Sequence, residues 1–153
     1  MSYFFDGLHW IAVTLWVGAL WAVGYIAAPV LFYFLDDRAL AGTLAARMFT
    51  LVAQVGMGCG AYLLLFRVIR QGVYSLKQWF FWITLLMLLL TLTGHFGVQP
   101  VTESLKQQSL AKEIVESVFK DRFATWHGVG NVLYLIESAL GLVLVLLQPK
   151  AAP

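Results

Sequence analysis

Five polar residues near the end of the chain, His127, Asn131, Tyr134, Glu137 and Ser138, follow one another at intervals of four, three, three and one. On a helix turning about 100° per residue they share one arc roughly 120° wide. Leu133, Leu135, Ile136, Ala139 and Leu140 fill the rest of the circle. A carboxyl flanked by hydroxyl, amide and imidazole groups on one face is chemistry for holding a proton, a cation or a small polar solute. Glu137 is the sole charged residue of the long apolar run 128–147. Ionised and alone in hydrocarbon it costs several kcal/mol, so a partner or a bound proton is expected. The neutral groups available are Tyr134 and Ser138 on its own helix and Gln54, Thr14 or Thr84 across a bundle. A purely structural hydrogen bond between helices is an equal reading of the same carboxyl.

The three histidines supply a second chemistry. His9 opens the first apolar run, His95 closes the third and His127 opens the fourth. With alternating crossings His95 and His127 fall at one membrane face and His9 at the other, so a bis-histidine haem uses His95 and His127. That redox reading stands as an alternative; Cys59 and Met57, in the middle of the second run, are too far from both histidines to complete a soft-metal site. No paired carboxylates, phosphate loop or nucleophile–base arrangement is present. The expectation is therefore no enzyme, no metal and no resident cofactor.

The elements that position these residues follow from composition. Of 153 residues 61% are hydrophobic and 12% charged, against about 25% charge in soluble domains. A mean hydropathy of +0.81 indicates a bilayer as solvent, and a net charge of +2 gives no reason to expect a nucleic-acid partner. Crossing about 30 Å of hydrocarbon takes about 20 apolar residues in a helix. Four stretches qualify, at 7–34, 48–66, 79–98 and 126–147. Barrel strands would alternate in polarity over ~10 residues, and Leu85–Leu90 reads Leu-Leu-Met-Leu-Leu-Leu. The first span lacks a basic leader and far exceeds a signal-peptide core, so it stays in the membrane. The fold expected is all-α: one domain over 1–153, a bundle of four transmembrane helices, with one amphipathic helix at about 101–123 between the third and fourth spans. Residues Asp36–Arg47 lead into the second span as a polar extension.

Further positions refine that picture. Pro29 is expected to kink or end the first helix near Ala28. Gly56 and Gly60, then Thr14, Gly18 and Ala22, then Gly24 and Ala28, are small residues at helical spacing that let backbones approach. These glycine-rich faces are also the expected route to a homo-oligomer or a membrane-protein partner. Trp79, Trp82 and Trp126 look like interface anchors, whereas Trp16 and Trp21 are expected to fill space between helices. The undiluted basic loop of Arg67, Arg70 and Lys77 places both termini in the cytoplasm.

Several blocks carry a resemblance: Trp16-Val17-Gly18-Ala19, Ala28-Pro29-Val30-Leu31-Phe32, Ala41-Gly42 with Phe49, and Phe123-Ala124-Thr125-Trp126-His127-Gly128 with Asn131. Together they resemble a family of small bacterial four-span membrane proteins described as a domain of unknown function. That family looks related to a eukaryotic transmembrane protein associated with platinum-drug resistance. The resemblance implies a multi-pass protein of the bacterial inner membrane and carries over no active site. His9 followed by Trp16-Val17-Gly18 is also similar to the opening helix of copper-resistance membrane proteins and of a haem-associated protoporphyrinogen oxidase, but the later histidine and basic positions of those families have no counterpart here. The expected function is non-enzymatic: binding or passing a small solute, proton or cation along the polar face. A scaffold or accessory subunit of a membrane complex is the alternative, and a haem- or copper-binding module the second alternative.

Overall fold

The computed structural model describes residues 2–111 and 116–147. Among the described residues four helices are long and apolar enough to cross a membrane: Gly7–Phe34, Arg38–Lys77, Trp79–Leu105 and Ala124–Leu146. The first comprises α1 (Ser2–Trp21), a π-helical segment Ala22–Ala27 and α2 (Ala28–Phe34). The second is α3 (Arg38–Gln71), closed by a 3-10 turn at Gly72–Lys77. The third is α4 (Trp79–Leu92), a π-helical segment Thr93–Val98 and α5 (Gln99–Ala111). The fourth is carried by α6 (Glu116–Leu146).

Of the two outcomes expected at Pro29, a kink or an end of the helix, the end does not occur. A proline lacks the N–H for its i−4 carbonyl, and its ring collides with that carbonyl. The wider π turn immediately before α2 takes up both effects, and the helix runs on to Phe34. The same device recurs at Pro100, which follows the π turn Thr93–Val98 by the same two residues. Asp37 caps α3, its carboxylate accepting from the Ala39 and Leu40 amides at 2.8 and 3.1 Å. This satisfies two of the four amides a helix start leaves open. The polar segment expected as a separate amphipathic helix over 101–123 is divided between two long helices. Its first part prolongs the third span as α5, and its last part opens α6 from Glu116; residues 112–115 lie outside the described residues.

The helices pack in a ring: α1 against α3, α3 against α4, α4 against α6 and α6 back against α1. Val13 and Trp16 of α1, Leu63 of α3, Met87 of α4 and Leu144 of α6 are wholly buried at its centre. Lipid supplies no hydrophobic drive between helices, so close fit has to hold them. That fit centres on Trp16, which lies flat on α3. A Cβ at Gly56 would come 2.5 Å from the indole Nε1, and one at Gly60 would come 2.9 Å from the far edge of the ring. Gly56 and Gly60 thus form a slot for a tryptophan rather than a bare backbone contact. Gly18, by contrast, has open space around it and is exposed. Trp21, expected between helices, is 41% exposed and only its indole N–H reaches inward.

Candidate functional site

The polar face of α6 divides along its length. Glu137 and Ser138 are buried and Tyr134 is half-buried, whereas His127 and Asn131 are exposed. The difference follows from which neighbours each turn meets. At Glu137 the flanking helices are α4 and α1; toward His127 the helix rises beside α5 and the π segment Thr93–Val98.

Glu137 meets Thr91 of α4, whose hydroxyl donates to the carboxyl Oε1 at 2.5 Å. The partners considered from the sequence lie elsewhere. Gln54 and Thr14 are exposed, and Thr84 is buried but donates to the Phe80 carbonyl at 2.8 Å. Thr91 is legible from the third span only when that span is wound as a wheel. Phe80, Thr84, Met87 and Thr91 recur at four, three and four and are all buried. The Trp16 indole N–H also faces the Glu137 carboxyl, outside hydrogen-bond geometry, so that this wholly buried N–H makes no hydrogen bond. Glu137 is thus approached by one O–H and one N–H.

Thr91 makes the arrangement more than a simple pair. Its Oγ lies 2.9 Å from the Met87 carbonyl as well as 2.5 Å from Glu137. A hydroxyl has one proton to donate. When that proton goes to Met87, the short contact to Glu137 is closed only by a proton on the carboxyl. When the carboxyl is ionised, the threonine proton turns to it and Met87 loses its side-chain donor. Two hydrogen-bond states, differing by one proton, share one heavy-atom geometry.

The neighbouring groups hold α6 in place against α1. The Tyr134 hydroxyl donates to the Leu20 carbonyl at 2.5 Å, and its ring sits against Gly24, where any side chain would collide. The Phe49 ring meets the Tyr134 ring edge-on at 5.1 Å. The Trp21 N–H donates to the Ser138 carbonyl at 3.3 Å, while the buried Ser138 Oγ has no partner. Beside these two residues, Tyr25, Leu135, Ala139 and Leu142 complete a shallow apolar groove of about 480 Å³.

The histidines are distributed. His95 is half-buried, its Nδ1 2.8 Å from the Gln99 Oε1. His127 is exposed, and His9 is buried at the opposite end between Phe66 and Phe80, with centroid distances of 5.9 and 5.2 Å. Among the described residues no group of three or more His, Cys, Asp or Glu side chains is placed to hold a metal ion.

No curated protein and no solved structure matches the chain. A family model matches residues 11–111, which takes in Trp16, Gly56, Gly60 and Thr91 and stops short of α6. Across the greater part of its length, then, the chain belongs to the family described as Domain of unknown function (DUF4149).

Proposed function

We propose that this is a non-enzymatic multi-pass membrane protein that binds a proton at Glu137 and passes it along the polar face of α6. The observation that carries the reading is the surroundings of the carboxyl. Glu137 is 7% exposed, is met by the Thr91 hydroxyl and faced by the Trp16 N–H, and no described Lys or Arg is paired with it. Both groups near the carboxyl are hydrogen-bond donors, which suit a carboxyl that holds or releases a proton. Of the solutes a polar intramembrane face can hold, a proton therefore fits best. Ten residues of helix, about 15 Å at 1.5 Å per residue, separate Glu137 from His127, with Tyr134 and Asn131 between them. On this reading the proton travels by way of these groups between the carboxyl and the membrane surface.

The experiment is infrared difference titration of the reconstituted protein, paired with proton uptake by vesicles containing a pH dye. A carboxyl C=O band that titrates in the wild type and vanishes in Glu137→Gln is expected, together with loss of proton uptake in that variant. Uptake unchanged in Glu137→Gln, or no titrating band assignable to Glu137, overturns the proposal. The second reading, a structural bond between α4 and α6, rests on the Thr91–Glu137 contact itself. It predicts instead that Glu137→Gln loosens the bundle while leaving no proton-linked signal to lose.

A further inference from the structure

We propose that α3 carries a self-association face centred on Gln54 and that its occupant is a second copy of this chain. The inward side of α3 is used up within the molecule, where Val52, Gly56, Gly60 and Leu63 are buried. On the opposite side Leu51, Gln54, Gly58, Ala61 and Leu65 are all exposed. Their spacing of three, four, three and four is a 3.5-residue period, the repeat that keeps a seam facing a second helix.

Gln54 is the anomaly on that seam. It lies seven residues beyond Arg47, which is about 10 Å along the helix axis and so well inside the hydrocarbon. A primary amide offers two donor hydrogens and an acceptor oxygen. Acyl chains offer nothing in return, and Gln54 is not among the residues that make a hydrogen bond within the described structure. One turn further on, Gly58 has no atom within 4 Å of where a side chain would begin, so a second backbone can approach closely at that level.

The amide selects the occupant. An amide is self-complementary: the N–H of one meets the C=O of the other and the reverse. Copies of one chain insert in one orientation, so a twofold axis along the membrane normal sets both Gln54 side chains at the same depth. An unrelated helix would have to present a polar group at that depth independently. Of the small-residue faces expected to carry an oligomer, the one at Gly56 and Gly60 is closed by Trp16 and lies on the far side of α3; Gly58 is the glycine in the middle of α3 left open.

The test is the monomer–dimer equilibrium of the full chain in liposomes, read by single-molecule photobleaching across a series of protein-to-lipid ratios. The wild type is expected to dimerise, with Gln54→Leu weakening association about 3- to 20-fold, the range set by interhelical polar contacts in bilayers. Gly58→Ile is expected to weaken it as well. Both changes fall on an exposed face, so the monomer should unfold no more readily than the wild type. In a Cys59→Ser background, Gly58→Cys should oxidise to a covalent dimer and Leu89→Cys, on the exposed side of the third span, should not. A wild type that stays monomeric at every ratio, an unchanged Gln54→Leu, equal cross-linking from both cysteines, or a monomer that cross-links to a different membrane protein through position 58 would each overturn the proposal.

Discussion

Gly56 and Gly58 stand two residues apart on one helix and face opposite ways, which makes them a matched pair for testing the tryptophan slot. At Gly56 a methyl group meets the Trp16 indole, whereas at Gly58 it meets open space. Overpacking a tight contact costs about 1–3 kcal/mol, while alanine for glycine in an unobstructed helix gains roughly 0.5–1 kcal/mol. Gly56→Ala should therefore destabilise the bundle and Gly58→Ala should leave it unchanged or firmer, as read by reversible unfolding in mixed detergent micelles. Much of the polar site was legible at this scale: the wheel drawn through Glu137 turns Glu137 and Ser138 inward. The same wheel turned His127 and Asn131 inward too, yet both are exposed, because a wheel reports angle and not which helices stand alongside each turn. Thr91 went unread because its hydroxyl can satisfy itself on the carbonyl four residues back, so that only its place on the buried stripe of Phe80, Thr84 and Met87 marks it.

Among the elements, the two π-helical turns each precede a proline by the same interval, at Pro29 and Pro100. Hydrophobicity along the chain places both spans well but carries no signal for a helix widened by one residue per turn. From sequence Pro29 reads as a kink or an end, and in three dimensions the helix runs through it with a change of register. Replacing it restores the missing N–H and removes the ring clash. Pro29→Ala is expected to leave the helix running to Phe34, with the new amide at position 29 as protected from hydrogen exchange as its neighbours. A span that frays beyond residue 28, or an amide at 29 that exchanges freely, would contradict that account. The polar stretch after Pro100 shows the converse: its helical spacing was readable, but its division between α5 and α6 depends on where two long helices separate, which periodicity does not encode.

At the level of the whole molecule the two membrane ends differ in build. α3 alone has 34 residues, about 51 Å of helix against roughly 30 Å of hydrocarbon, and α5 extends the third span at the same end. The other end turns back within the short Gly72–Lys77 segment, where Arg67 donates to the Gln78 side chain at 2.6 Å and stacks over Phe80 at 4.3 Å. A compact basic loop is costly to translocate, so both termini are expected on the cytoplasmic side. Reporter fusions at the C-terminus should be active when the reporter works in the cytoplasm and silent when it needs export; replacing Arg67, Arg70 and Lys77 together by Gln should give mixed orientations. The four crossings were plain from composition, whereas the ring order that brings α6 between α4 and α1 was not, since it depends on which faces fit. That ring order has a consequence for biogenesis. The carboxyl belongs to the fourth crossing, its hydroxyl partner to the third and the indole near it to the first. The site is therefore incomplete until the fourth crossing has packed against the first and the third.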